Sequence, residues 1–144
     1  GEMVMTWNGD AFGGTKLAVH CGPDLLVYLR DDKPNIPHPG TWDLPGGERE
    51  PGEAPLTTGL RELHEEFGLM LPADRVENLT CYPSASANGL PTWFGTLEIT
   101  RSEVKSVRFG DEGQFWLLMP IHAFIEHRLA STALRTRVRN AWQL

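Results

Sequence analysis

Residues 55–67 constrain the fold more than any other part of the sequence, because they have the periodicity of a helix that packs on one side. Apolar residues recur there at spacings of four, three and four: Leu56, Leu60, Leu63 and Phe67. Gly68 follows at the position where helices commonly end in the left-handed conformation. Since a single helix cannot cover its own apolar face, the rest of the chain must supply a surface for it.

Short apolar runs before and after this helix predict the strands of that surface. Residues 16–20 and 25–29 flank the turn-like sequence Cys21-Gly22-Pro23-Asp24, which indicates a hairpin. Residues 31–40 contain three prolines and are predicted to form a loop, followed by a short extended segment at 41–44. Further strands are predicted at 76–82, 90–100 and 114–119, with a turn at 83–89 and closing helices at 121–128 and 132–142. This order indicates a mixed α/β or α+β fold in a single domain over residues 1–144.

The composition agrees with a globular protein that buries one core. Of the 144 residues, 40% are apolar and 22% are charged. No apolar run reaches the roughly 20 residues of a membrane helix, and no secretory signal is recognisable. These features favour a cytoplasmic protein without a membrane partner, in which Cys21 and Cys81 are reduced thiols.

The net charge of −6 disfavours binding to nucleic acid, because the chain would repel a phosphate backbone. Residues 127–144 are the exception, since they hold four arginines and no acidic residue. A solvated helix face is the simplest interpretation of that stretch. An acidic protein that handles phosphates needs divalent cations to reconcile the charges.

Three carboxylates share one stripe of the predicted helix, away from its apolar face: Glu62, Glu65 and Glu66. Like charges at this spacing repel each other, and they lie near the C-terminal end, where the helix dipole disfavours negative charge. A hard divalent cation such as Mg²⁺ or Mn²⁺ would remove the repulsion and prefers oxygen ligands. The alternative is a solvated acidic face, and the helix alone does not decide between the two.

The spacing of residues around the helix resembles the signature of the Nudix hydrolases at every specified position. The matching residues are Gly47, Glu53, Arg61, Glu62, Leu63, Glu65, Glu66, Gly68 and Leu69. A chance match to seven fixed residue types and two aliphatic ones is on the order of one in ten million. The preceding segment, Thr41-Trp42-Asp43-Leu44-Pro45-Gly46-Gly47, is also similar to that of many MutT-like members.

This resemblance implies a Nudix-type α/β/α sandwich with a mixed β-sheet, and hydrolysis of a nucleoside diphosphate linked to another group, X. It also implies a Mg²⁺ or Mn²⁺ site held by the Gly47 carbonyl and by Glu62, Glu65 and Glu66. Arg61 is expected to orient a carboxylate, because a guanidinium can bind one through two parallel hydrogen bonds. For Glu53, helix capping, metal binding and pairing with arginine stay open as alternatives.

Two positions outside the signature are further candidates. Glu112, in the sequence Gly110-Asp111-Glu112-Gly113-Gln114, resembles the Glu-Gly-Gln segment of MutT-like members and is expected to be an added metal ligand or the general base. Glu65 is the other candidate for the general base, and an exposed acidic turn is the alternative for Glu112. Arg30, at the end of the second predicted strand, is expected to contact a phosphate of the substrate.

The small size and the Glu112 segment favour a MutT-like nucleoside triphosphate pyrophosphohydrolase, which releases a monophosphate and pyrophosphate. Pro83, placed 14 residues after Leu69, favours the alternative of an ADP-ribose or nucleotide-sugar pyrophosphatase. An alternative from another class is a Nudix-fold module that senses a nucleotide without cleaving it, although no acidic residue of the signature is missing. The expected partner is a small nucleotide, and the chain is expected to be a monomer or a homodimer.

Overall fold

The computed structural model describes residues 6–83 and 89–144, and its centre is a seven-stranded sheet with helices on both faces. The strands are β1 (Gly14–Cys21), β2 (Asp24–Leu29), β3 (Trp42–Asp43), β4 (Gly46–Glu48), β5 (Val76–Tyr82), β6 (Thr92–Glu98) and β7 (Phe115–Pro120). The helices of the described ranges are α1 (Pro55–Phe67), α2 (Arg101–Lys105), α3 (Ile121–Ile125) and α4 (Thr132–Trp142), and a 3₁₀ turn covers Ala73–Arg75. None of these helices is long and apolar enough to cross a membrane.

The sheet is mixed, because one of its pairings is parallel. β1 lies at the centre and pairs in parallel with β6 and antiparallel with β2 and β4. β2 also pairs antiparallel with β3 and β7, and β6 with β5, so the main path through the sheet runs β3-β2-β1-β6-β5. The predicted hairpin is confirmed as β1 and β2, and the prediction of a mixed sheet is confirmed with it.

Alternation along β1 and β2 divides the apolar side chains between two layers. One layer contains Leu17, Val19 and Leu26 of the sheet with Leu63 and Phe67 of α1. The other contains Ala18, Leu25 and Val27 of the sheet with Phe124 of α3 and Val138 of α4. Helices therefore cover both faces, which confirms the predicted α/β/α arrangement.

Helix α1 has the predicted bounds and the predicted end. Gly68 has a φ of 70° and donates its N–H to the His64 carbonyl at 2.9 Å. The apolar stripe is buried unevenly: Leu63 and Phe67 completely, Leu56 and Leu60 in part. The helix is thus rotated slightly from the orientation that its leucines alone would predict.

Gly59 explains this rotation, because it lets α1 approach the sheet closely. A Cβ at position 59 would lie 3.0 Å from the Thr15 methyl group and 3.2 Å from the Leu17 side chain. Such distances are shorter than ordinary contacts between carbon atoms. The helix therefore packs on β1 through its glycine, and this brings the inner edge of the acidic stripe, with Glu66, under cover of the sheet.

Some predicted boundaries and two short elements differ from the structure. β6 begins at Thr92 rather than at 90 and β7 at Phe115 rather than at 114, and α3 ends at Ile125 rather than at 128. After α3, the chain passes β3, where Ala130 forms a parallel bridge with Trp42. β4 and α2 have no counterpart among the predicted elements. Of the predicted turn at 83–89, residues 84–88 lie outside the described ranges, as do residues 1–5.

Candidate active site

An ion pair between Glu53 and Arg61 ties the loop after β4 to helix α1. Arg61 Nε donates to Glu53 Oε2 at 2.7 Å, and Nη2 donates to Oε1 at 3.1 Å. Glu53 Oε1 also accepts from the Glu50 N–H and from the Thr58 hydroxyl. Together these donors, Arg61 first, lower the pKa of Glu53 to about 2. Of the three roles left open for Glu53, pairing with arginine is present in this geometry, and metal binding by Glu53 stays a prediction.

The other side of the Arg61 guanidinium holds the acidic stripe. Nη1 donates to Glu62 Oε1 at 2.9 Å and reaches the two carboxylate oxygens of Glu65 at 3.2 and 3.3 Å. Nη2 also donates to the Glu48 carbonyl at 2.9 Å, which joins β4 to α1. Hydrogen bonds to Glu53, and then to Glu62 and Glu65, raise the pKa of Arg61, so this cation is permanent.

Glu66 is the most deeply buried carboxylate of the stripe. The residue is 8% exposed, whereas the side chain of Glu65 is 53% exposed. Glu66 Oε1 accepts the Gly46 N–H at 2.9 Å, and Oε2 lies 3.4 Å from the Tyr28 hydroxyl. Burial raises the pKa of Glu66 to about 8, although Lys16 and the Gly46 N–H act in the opposite direction. A buried carboxylate with so few donors is one that a bound cation would stabilise.

Gly47 leaves room for the carboxylate of Glu62. A Cβ at position 47 would lie 2.7 Å from Glu62 Cδ, which is too close for nonbonded carbons. The Gly47 carbonyl lies against the backbone of Gly14, where a Cβ would collide with its oxygen. Burial raises the pKa of Glu62, while Arg61 acts to lower it. Gly47 thus serves this geometry by lacking a side chain, and its carbonyl stays a predicted ligand.

A second charged cluster lies beside Glu66 and centres on Asp43, to which no role was predicted. Asp43 Oδ2 accepts from Lys16 Nζ at 3.0 Å, from Arg30 Nη1 at 3.0 Å and from the Tyr28 hydroxyl at 3.1 Å. Burial is the largest influence on the pKa of Asp43 and acts to raise it, but Lys16 and the other donors outweigh burial and leave the pKa below its usual value. Sequence spacing does not signal this cluster, since its members come from three strands and a loop.

Arg30 follows the end of β2, where two acceptors hold its side chain. Nη1 donates to Asp43 Oδ2 and Nε donates to the Pro37 carbonyl, both at 3.0 Å. A guanidinium has five N–H donors, so three remain for other acceptors. The contact between Arg30 and a substrate phosphate stays a prediction.

Glu112 is exposed in the loop between α2 and β7. Residues before and after Glu112 in this loop contact the candidate site. Gly110 donates its N–H to the Glu66 carbonyl at 2.8 Å. Gly113 packs so closely on the Tyr28 ring that a Cβ there would lie 2.9 Å from Tyr28 Cδ2. The loop therefore crosses the C-terminal end of α1, and the role of Glu112 as metal ligand or base stays a prediction.

The donors on α1 have the chemistry that a hard divalent cation requires. They are carboxylate oxygens, and the backbones of Gly46 and Gly47 adjoin two of them, Glu66 and Glu62. Within residues 6–83 and 89–144, however, no three acidic, histidine or cysteine side chains converge closely enough to hold a metal ion. Arg61 Nη1 lies between Glu62 and Glu65 and binds both. The donor set fits a cation, provided that these two carboxylates release Nη1.

Comparison with known proteins decides the family. The family model of the NUDIX domain matches residues 17–130. The chain belongs to the Nudix hydrolase family. The m7GpppN-mRNA hydrolase NUDT17 of Bos taurus is 41% identical to this Nudix chain over 75 residues, which are 48% of the chain and 24% of the relative. The match thus spans about a quarter of that relative's length.

Solved structures of other Nudix proteins share the fold. A MutT protein from Methanosarcina mazei Go1 superposes with a TM-score of 0.70 at 14% identity, covering 90% of this chain and 91% of that one. The NUDIX domain of NrtR from Shewanella oneidensis, complexed with ADP ribose, has a TM-score of 0.68 at 21% identity, covering 93% and 88%. At these identities the similarity shows the fold alone.

Proposed function

We propose that this Nudix domain hydrolyses the phosphoanhydride of a nucleoside diphosphate linked to another group, with a divalent cation held by Glu62, Glu65, Glu66 and Glu112. The observation that carries the proposal is the hydrogen-bond network of Arg61, which holds Glu53 on one side and Glu62 and Glu65 on the other. Like charges gathered on one helix repel each other, and the ion pairs of Arg61 with Glu62 and Glu65 offset part of that repulsion. A cation bound at the acidic stripe would offset the rest, which supports the proposal.

The reaction needs a water molecule, a base and positive charge at the phosphates. The water oxygen forms a bond to phosphorus as the bridging oxygen leaves, and the water proton passes to a carboxylate. A bound divalent cation supplies neutralisation of phosphate oxygens and a lower pKa for water. Two exposed carboxylates of the chain, Glu65 and Glu112, are the proposed acceptors of this proton. Arg30, which pairs with Asp43, is the proposed source of positive charge for the substrate phosphates.

The proposed substrate is a nucleoside triphosphate, cleaved to a monophosphate and pyrophosphate. The Glu112 segment and the fold shared with the Methanosarcina mazei MutT protein support this choice. A second candidate is a dinucleotide of the cap type, because the relative that is 41% identical is an m7GpppN-mRNA hydrolase. ADP-ribose is a third, since the NrtR domain of similar fold was crystallised with it.

A module that binds nucleotides without cleaving them is the alternative from another class, with the basic C-terminal stretch as a nucleic-acid contact. Only part of that stretch faces solvent. Arg137 is buried and stacks on the Tyr82 ring at 4.6 Å, and Arg135 donates to the Ile125 carbonyl at 2.8 Å. Arg128 and Arg139 are left exposed, which is a small patch for a polyanion.

A turnover screen with Mg²⁺ or Mn²⁺ separates these candidates. The substrates are nucleoside triphosphates, oxidised analogues, ADP-ribose, dinucleotide polyphosphates, nucleotide sugars and the m7GpppG cap analogue, with products resolved by ion exchange. Cation-dependent release of a nucleoside monophosphate and pyrophosphate supports the triphosphate assignment. If the protein binds a nucleotide tightly but shows no turnover at any cation concentration, the proposal of an enzyme is wrong and the binding module is the better interpretation.

A further inference from the structure

Tyr28 connects the two charged clusters of the site, and the proposed reaction does not use it. Its hydroxyl lies 3.1 Å from Asp43 Oδ2 and 3.4 Å from Glu66 Oε2. A phenol carries one proton, so at any moment it donates to one of these two carboxylates. Removing the hydroxyl should therefore affect most the carboxylate that has fewer other hydrogen-bond donors.

Asp43 has enough donors without Tyr28. Two cations reach its Oδ2, from Lys16 and Arg30, and the Leu44 N–H reaches Oδ1 at 2.8 Å. Glu66 has fewer, because Oε1 accepts the Gly46 N–H while Tyr28 is the sole hydrogen-bond donor to Oε2 among the residues that the structure describes. The phenolic proton therefore matters more to the orientation of Glu66 than to Asp43.

The Tyr28 ring is held in one position. It packs on Phe67 with the ring centroids 5.9 Å apart and on Phe109 at 6.1 Å. Gly113 closes the remaining side, since a Cβ at that position would lie 2.9 Å from the ring. The Glu66 side chain has three rotatable bonds, and a hydrogen bond from a hydroxyl on an immobilised ring restricts its orientation.

We propose that Tyr28 is a positioning residue, whose hydroxyl donates to Glu66 Oε2 and orients the Glu66 carboxylate for binding a divalent cation, while Lys16, Arg30 and the Leu44 N–H supply the donors of Asp43. This inference rests on the proposed function, since it takes Glu66 as a ligand. Partners that orient a metal ligand typically change metal affinity by about 10- to 100-fold when they are removed. A hydroxyl that merely fills a buried hydrogen bond would change stability and leave cation affinity unaltered.

The test compares two tyrosine-to-phenylalanine variants in the full chain, with Mn²⁺ alone as the probe. Tyr28→Phe removes the hydroxyl and keeps the ring. Tyr82→Phe is the matched control, because its hydroxyl accepts the Asn140 amide at 3.4 Å on the opposite face of the sheet. Free Mn²⁺ is titrated by electron paramagnetic resonance, and the melting temperature of each variant confirms that it is folded at the temperature of the titration.

The expected result is a Kd for Mn²⁺ about tenfold weaker in Tyr28→Phe, with Tyr82→Phe within threefold of the parent. A Kd within threefold of the parent for Tyr28→Phe overturns the inference, and so does an equal weakening in both variants. If the parent itself does not bind Mn²⁺, the metal site of the proposed function fails, and the positioning role fails with it. If the parent binds Mn²⁺ and Tyr28→Phe binds it with the same Kd, the positioning role fails and the proposed function is unaffected.

Discussion

Replacing Gly47 by alanine is expected to damage the site while sparing the fold. Gly47 does not occupy the left-handed region, so alanine can adopt its backbone conformation. The new Cβ would lie 2.7 Å from Glu62 Cδ, about 1 Å short of an ordinary contact between carbons. The Glu62 carboxylate can move away because it is the end of a flexible side chain. A displacement of about 1 Å at a reacting group costs on the order of 10²-fold in rate, whereas the stability should change by less than about 1 kcal/mol.

The assay is kcat/KM on the best substrate of the screen at saturating Mg²⁺, together with a thermal melt. Gly13→Ala is the control, since a Cβ there meets nothing closer than 3.8 Å and its φ is also not left-handed. We expect a loss of about 100-fold for Gly47→Ala and less than threefold for Gly13→Ala. If Gly47→Ala keeps kcat/KM within threefold of the parent, Glu62 does not have the role proposed for it.

Three further predictions concern single carboxylates. Glu66→Gln should lower turnover by about two orders of magnitude or more, and unchanged turnover and Mg²⁺ affinity would remove Glu66 from the site. Glu112→Gln should lower turnover at least about tenfold with a nearly constant melting temperature, because an exposed loop carboxylate contributes only about 0.5 kcal/mol to stability; equal turnover would pass the base role to Glu65. Outside the residues of the candidate site, the Arg75 guanidinium lowers the pKa of Glu103 to about 2. The Glu103–Arg75 ion pair therefore contributes about 1–2 kcal/mol to the free energy of unfolding above about pH 4.5, and this contribution is lost as the pH falls towards 2. A Glu103→Gln variant whose acid unfolding is identical to that of the parent would contradict this prediction.

The elements that could be predicted are those whose local pattern and tertiary environment agree. Helix α1 has both apolar periodicity and a terminal Gly68, and its bounds agree with the structure. β4 has neither, because its Gly-Gly-Glu sequence carries no alternation and it forms only through pairing with β1. α2 is five residues long, too short for periodicity, although the Thr100 and Glu103 capping box that begins it is a recognisable local signal.

The candidate site divides in the same way. The signature locates Glu53, Arg61 and the acidic stripe, because the helix and the loop before it keep these residues at fixed spacings. The Asp43 cluster is invisible in the sequence, since Lys16, Tyr28 and Asp43 meet only when β1, β2 and β3 pair. The orientation of α1 could not be predicted from the sequence either, because it depends on Gly59 packing against β1 rather than on the leucine stripe.

The bonds of Arg61 explain why the signature needs Glu53 as well as the acidic stripe. Nε and Nη2 are bound to Glu53 and to the Glu48 carbonyl, whereas Nη1 alone faces Glu62 and Glu65. If a cation takes those two carboxylates, Arg61 loses the bonds of Nη1 and keeps the others. Glu53 stays charged in this exchange because its pKa is about 2. Under the proposed function, Arg61 orients Glu62 and Glu65 before a cation binds, and its bonds to Glu53 and to the Glu48 carbonyl keep it anchored after it releases them.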